Sequence, residues 1–265
     1  MSGLQAVPDG ARIALLCTPC RATNVLFHAL SARFGAPVVI AERPVARAEL
    51  VKRRVKRLGV VHVAGQLAFQ TLVSPYLARR GRARNAEILR QAGLSEAPVP
   101  ESAVRAVSSV NSPEAREALR AAAPDVVVVS GTRIIGRETL GAVDAPFVNL
   151  HAGITPRYRG VHGAFWALAE GRPELAGATV HLVDTGIDTG AVIAHAPVSP
   201  TVADSFATYP TLQLVAGVPP LLAAVEDLLA GRRPEGPRIA NEHAALRYHP
   251  TLWEYAAARL RGRAR

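Results

Sequence analysis

Apolar residues occur along the chain in short bursts bounded by Gly, Pro and polar clusters, and the spacing inside each burst predicts an alternating α/β order. Residues 12–17 are a nearly continuous apolar run, as a strand buried on both faces requires. Thr18-Pro19 ends it. Residues 24–34 then place Val25, Leu26, Ala29 and Leu30 at helical spacing, Gly35 supplies a stop, and 37–41 reads as a second strand. Residues 46–58 predict a basic amphipathic helix with Leu50, Val51, Val55 and Leu58 on one side. The stretch 59–77 is largely apolar, with His62, Gln66 and Gln70 inside it and arginine clusters on both flanks. A bilayer-spanning helix needs about twenty apolar residues. This run is interrupted and marginal, so packing in the core or at a dimer interface is expected over membrane contact.

Residues 92–101 read as a Pro/Gly linker and 103–107 as a strand. Asn111-Ser112-Pro113-Glu114 combines a capping side chain, an early Pro and an acidic first turn, so a helix is predicted from there to 123. Val126-Val127-Val128-Val129-Ser130 is the clearest buried parallel strand, and Gly131 to Gly136 follow at its C-terminal end, where open α/β sheets bind ligands. Further strands are predicted at 147–150, 178–183 and 191–197, with a short helix at 163–170. A long helix running from 202 or 204 to 229 is expected to break near Pro210 and Pro219. Three aromatics, Tyr248, Trp253 and Tyr255, predict that 247–255 docks on the body, and Arg259 to Arg265 reads as a frayed basic tail.

Composition narrows the class. Of 265 residues, 49% are apolar and 20% charged, which excludes a disordered chain. The N-terminus carries no secretory signal, and Cys17-x-x-Cys20 lacks a second ligand pair, so two buried or loop thiols in a reducing cytoplasm are expected and no metal site. The net charge is +10, nearly all of it arginine, with Lys52 and Lys56 the only lysines. Between Glu42 and Arg90 twelve basic residues face only Glu42, Glu49 and Glu87. A solvated helical face is the expected reading, without a nucleic-acid partner.

The candidate chemistry lies further on. Val148 to Gly160 delivers Asn149 and His151 two residues apart, which puts both on one side of an extended chain before a Gly/Pro/Arg loop. Asp184-Thr185-Gly186-Ile187-Asp188-Thr189-Gly190 sets carboxylates in a Gly-bounded loop after another apolar run. An amide, an imidazole and a carboxylate together suit acyl transfer.

Asn149-x-His151, Pro156-Arg157-Tyr158-Arg159-Gly160, and Thr179 to Asp184 continuing through Gly186 and Asp188-Thr189-Gly190 resemble the formyltransferases that use 10-formyltetrahydrofolate. That family includes the glycinamide ribonucleotide, methionyl-tRNA and amino-sugar enzymes. The likeness is close from about 124 to 198 and looser over the N-terminal half. It implies a Rossmann-like α/β fold, a mostly parallel twisted sheet with helices on both faces. It also implies a catalytic domain over 1–200 and a helical extension over 201–265, packed on that domain or at a dimer interface.

By the same resemblance, Asn149, His151 and Asp188 are catalytic, with Asp188 preferred to Asp184 as the working carboxylate. Arg133, Ile134, Ile135, Val183, Asp184 and Ile187 would hold 10-formyltetrahydrofolate, and Arg157, Tyr158, Arg159 and His162 the acceptor. His162 and His181 are also read as supporting or packing residues. The loop Cys17 to Asn24 lacks the Gly/Ser-rich phosphate cradle of the glycinamide ribonucleotide enzymes, and only about 65 residues follow Pro200, fewer than the barrel of the methionyl-tRNA enzymes requires. A small-molecule amine, an amino sugar or similar intermediate, is therefore the implied acceptor. The glycinamide ribonucleotide reaction stays open beside it. So does hydrolysis of the donor, although hydrolases carry a preceding domain for which Met1 to Asp9 leave no room. A non-catalytic folate-binding module is disfavoured by the intact Asn149, His151 and Asp188.

Overall fold

The computed structural model describes residues 10–234, 236–237 and 245–264. Its framework is a seven-stranded sheet ordered β3-β2-β1-β4-β5-β7-β8. The strands are β1 Ile13–Cys17, β2 Val38–Glu42, β3 Val104–Val107, β4 Val126–Ser130, β5 Phe147–His151, β7 Gly177–Leu182 and β8 Val192–Pro197. The first five run parallel, and β7 and β8 pair antiparallel beyond β5. Two short strands, β6 Tyr158–Gly160 and β9 Ala245–Arg247, pair in parallel apart from it.

Alternation along the central strands sorts side chains onto two apolar faces. Ile13, Leu15, Val126, Val128, Val148 and Val180 face one core, filled by α1 (Arg21–Phe34) and α9 (Tyr209–Leu229). Ala14, Leu16, Val127, Val129 and Phe147 face the other, filled by α6 (Pro113–Ala122). Burial on both sides is why these strands read as unbroken apolar runs. Short α7 (Arg137–Leu140) follows β4. A third cluster joins α8 (Gly163–Ala169) and α10 (Leu252–Leu260) through Tyr158, Phe165, Phe206, Tyr209 and Tyr255.

Between β2 and β3 the chain makes a helical excursion: α2 (Arg47–Leu58), α3 (Val60–Ala68), a π-helical turn over Phe69–Val73, α4 (Ser74–Arg80) and α5 (Arg82–Gln91). The apolar run 59–77 only half meets its expectation of burial. Val63, Gln66 and Phe69 pack inward, whereas Val60, Val61, Leu72 and Tyr76 face outward.

Two local expectations are met and two change. Ser112 supplies the capping side chain of α6, its hydroxyl accepting from the Ala115 amide. The long helix starts at Tyr209 and runs unbroken through Pro219 and Pro220; Pro219 is on the exposed side, where water can take the carbonyl that a proline frees. The docking of 247–255 takes the form of α10, with a capping box of Thr251 and Glu254, and it buries Tyr255. The tail is held as well, since Arg263 donates to the Ala169 carbonyl and Ala264 is buried. Arg265 lies outside the described residues.

Candidate active site

β5 and β7 build the centre of the site. Their register sets Asn149 opposite His181 and His151 opposite Thr179. Directly opposed residues of an antiparallel pair share a face, so amide and imidazoles project together. Leu182 pairs with Val148, and the loop that follows returns across the face of the sheet until Asp188 reaches the two histidines.

Hydrogen bonds fix the orientation of each group. His181 Nδ1 lies 2.7 Å from the Leu182 carbonyl, which can only accept, so that nitrogen carries the hydrogen. Its Nε2 then accepts from the Asn149 amide at 3.1 Å. One Asn149 N–H is thereby committed and the other is available to a ligand. His151 Nε2 donates to the Tyr158 carbonyl at 2.9 Å, and its Nδ1 faces Asp188 Oδ1 at 3.3 Å. The other Asp188 oxygen accepts from the Gly160 amide at 2.9 Å.

Burial pushes the His151 pKa down against the pull of Asp188 and the Tyr158 carbonyl, and the neighbouring His181 ring adds to the depression. Burial alone would raise the Asp188 carboxyl. The His181 and His151 rings and the Gly160 amide outweigh it and hold the group below its ordinary value. Near neutral pH the pair is a neutral imidazole facing a carboxylate, and the space between them is one proton short.

Close backbone approaches support this geometry. A Cβ on Gly153 would stand 2.3 Å from the Tyr158 carbonyl oxygen and 2.7 Å from His151 Nε2. The Thr179 hydroxyl donates to the Gly153 carbonyl and accepts from the Thr155 amide, tying down the loop after β5. In the 183–190 loop, Asp184 Oδ1 accepts from the Gly186 amide and the Thr189 hydroxyl. Asp184 thus shapes the turn, and Asp188 is presented at φ 50°.

These groups open onto a cleft of about 430 Å³. Asn149, His151, His181 and Asp188 line one part, and Arg133, Ile134, Ile135, Val183, Asp184 and Ile187 line another, with Leu26 and Leu214 from α1 and α9. The structure therefore gathers every residue the sequence assigned to catalysis and to donor binding. The wall 131–136 is held by two side chains that sequence reasoning missed. Buried Glu42, at the end of β2, accepts from the amides of Arg133 and Val110 and pairs with the Arg133 guanidinium at 2.6 Å. Asn111 accepts from the Gly136 amide and donates to the Ile134 carbonyl. Neither has a local signal, because each acts across 23 residues or more.

The four residues assigned to the acceptor lie elsewhere. Tyr158 is fully buried, its hydroxyl donating to Glu170, and burial together with that carboxylate raises its pKa to about 12. Glu170 also pairs with Arg157 and Arg247. His162 meets His249 at 2.9 Å among aromatic rings. Neither His162 nor Arg159 lines the cleft; of that loop only Gly160 and Val161 do. Cys17 and Cys20 are free thiols, Cys17 buried with its pKa raised to about 12 by burial, Cys20 exposed at the cleft edge.

Known proteins bear on this geometry in two ways. The sequence profile described as "Formyl transferase" matches residues 72–210. A phosphoribosylglycinamide formyltransferase of Mycobacterium tuberculosis is 45% identical over 76 residues, 28% of this chain, and the match spans only about a third (35%) of that relative's length. Among solved structures, glycinamide ribonucleotide transformylase 1 from Symbiobacterium toebii superposes with a TM-score of 0.55 at 20% identity, covering 90% of this chain and 99% of that one. A sugar N-formyltransferase from Shewanella sp. gives 0.53 at 13% identity, over 94% and 86%. These two share the fold. The matched span holds β4, β5, β7 and the loop bearing Asp188, so the stretch that builds the cleft places this chain in the formyl transferase family.

Proposed function

We propose that the chain transfers a formyl group from 10-formyltetrahydrofolate to a primary amine of a small-molecule acceptor, an amino sugar or a similar biosynthetic intermediate. The observation that carries this reading is the convergence of Asn149, His151 and Asp188 on one cleft with the 133–135 and 183–187 walls. The cleft suits a flat, polar-edged donor. Ile134, Ile135, Ile187 and Leu214 supply apolar surface, and the backbone of 131–136 is held at its rim by Glu42 and Asn111.

When bound, the donor supplies the formyl carbon and leaves as tetrahydrofolate. The chain's own residues do the rest. The uncommitted Asn149 N–H donates to the formyl oxygen as the amine adds and negative charge gathers there. The amine nitrogen becomes cationic and must lose a proton, directly or through water. The gap between His151 Nδ1 and Asp188 Oδ1 is shaped to receive it and to pass it to the donor nitrogen as the bond from that nitrogen to the formyl carbon breaks. His151 does not serve as a second donor to the formyl oxygen in this reading, since Nε2 is engaged by Tyr158 and Nδ1 faces Asp188.

The amino-sugar reading is preferred because the β1–α1 connection, Thr18-Pro19-Cys20, contains no glycine to let backbone wrap a ribonucleotide phosphate, and Arg21 there is paired with Glu96 at 2.6 Å. The deciding measurement is tetrahydrofolate release while amines are offered one class at a time. Release that requires one amino-sugar class supports the proposal. Equal release without amine makes the protein a hydrolase, and release only with glycinamide ribonucleotide moves it to purine synthesis.

A further inference from the structure

We propose that the outward face of the helical excursion between β2 and β3 docks on an anionic lipid membrane surface. Docking does not depend on which amine is formylated. The first observation is charge segregation. Residues 43–90 carry twelve Lys and Arg against two Glu, whereas the rest of the chain has nineteen of each sign. The whole net charge of +10 therefore belongs to this one excursion.

The second observation is what lies between the charges. No Asp, Glu, Lys or Arg occurs from Leu58 to Ala78. Along that run Val60 (68% exposed), Val61 (76%), Leu72 (69%) and Tyr76 (58%) face outward with Leu67, while Val63, Gln66 and Phe69 face the core. The π-helical turn at Phe69–Val73 takes up one additional residue, so that Leu72 and Tyr76 continue the face begun by Val61 and Leu67. The result is an apolar stripe about 25 Å long at 1.5 Å per residue. Trp253 widens it: its ring lies over Gly65, where a Cβ would come within 2.1 Å, and half of the side chain stays exposed.

Exposed Lys52, Arg53, Lys56 and Arg57 flank one end, and Arg79, Arg80 and Arg82 the other. At the second end Arg79 and Arg82, beside Arg21 and its partner Glu96, line a recess of about 540 Å³. An apolar face between basic ends, with Tyr and Trp at its margin, is the arrangement that lies in the headgroup layer of a bilayer with anionic lipid. A second copy of the chain fits it poorly, because apposed stripes would bring two strongly positive segments together. RNA would engage the cations and leave the apolar stripe in water.

The test is co-sedimentation of the full chain with phosphatidylcholine vesicles containing about one third phosphatidylglycerol, against phosphatidylcholine alone, where anionic lipid sets the attraction. Expected is pelleting with the anionic vesicles, at least roughly tenfold weaker on neutral ones and weakened by salt. The double variant V61D/L72D alters two exposed positions, so its circular dichroism and thermal midpoint should stay as in the parent while vesicle binding falls at least about tenfold. K52E/K56E/R79E provides an independent variant that should abolish the preference for anionic lipid. Three results overturn the proposal: wild-type protein that stays in the supernatant, V61D/L72D that still pellets, or a vesicle-free dimer in ultracentrifugation that V61D/L72D dissociates. Salt-dependent RNA binding, unchanged in V61D/L72D and unaccompanied by vesicle binding, would reassign the segment to nucleic acid.

Discussion

His151 Nδ1 and Asp188 Oδ1 stand 3.3 Å apart with the far side of each group already engaged, His151 by the Tyr158 carbonyl and Asp188 by the Gly160 amide. The pair is built to take up one proton. Asp188→Asn keeps an oxygen for Gly160 but removes that capacity, so kcat should fall by about 10²–10⁴ with the fold retained. Both pKa values are depressed, His151 by burial and Asp188 by the rings and amide around it. The acid limb of the pH–rate profile should therefore lie below about 6.5, the ordinary histidine value. Near-parental turnover by Asp188→Asn would remove the carboxylate from the mechanism.

Asn149 has one N–H on His181 and one to offer. Asn149→Ala should lower kcat roughly a hundredfold to a thousandfold, about 3–4 kcal/mol of transition-state stabilisation, and leave the thermal midpoint nearly unchanged. A variant whose kcat is preserved and whose KM alone rises would make Asn149 a binding residue instead.

Gly153 leaves no room for a methyl group, which would meet the Tyr158 carbonyl and His151 together. Gly153→Ala should cost about 2 kcal/mol or more in stability, as overpacking does, and should lower activity further through the displaced imidazole. Denaturant unfolding and kcat measured on the same preparation check both parts.

Glu42 is buried at the foot of the 131–136 wall and satisfies two amides and a guanidinium. Glu42→Ala leaves these donors without their acceptor and should destabilise by about 3–5 kcal/mol, the usual cost of breaking a buried pair. Glu42→Gln keeps the shape and serves as the control. Both should raise the KM for the formyl donor more than that for the amine.

The His162–His249 pair predicts acid sensitivity. Burial first, then neighbouring positive charge, pushes these pKa values down to about 3 and about 4. Between those values and the ordinary 6.5 the unfolded chain binds more protons than the native one, so stability must fall as pH falls. The slope for two such groups approaches roughly 2–3 kcal/mol per pH unit. Denaturant unfolding at successive pH values from 7 to about 5 should show this decline, and His249→Gln should flatten it.

The legible part of this protein was whatever local pattern controls. The apolar run at 126–130 gave β4, and two-residue spacing put Asn149 and His151 on one face. The illegible part was pairing at long range. Arg157, Tyr158 and His162 looked like acceptor ligands because nothing nearby showed that Glu170 and His249 would claim them. His181 was legible only as support until the β5–β7 register put it opposite Asn149. The apolar run 59–77 gave only the expectation of core or interface packing; that one side is covered and the other faces outward is a tertiary fact.

The β5–β7 register has a last consequence, for molecules that fold wrongly. A slip of β7 by one residue against β5 would turn His181 away from Asn149 and the cleft and at the same time swing Val180 out of the core. An inactive chain of this kind could not pass as native. It would display the apolar surface by which chaperones and proteases recognise damaged protein, so the spacing of the site is proofread by the packing beneath it.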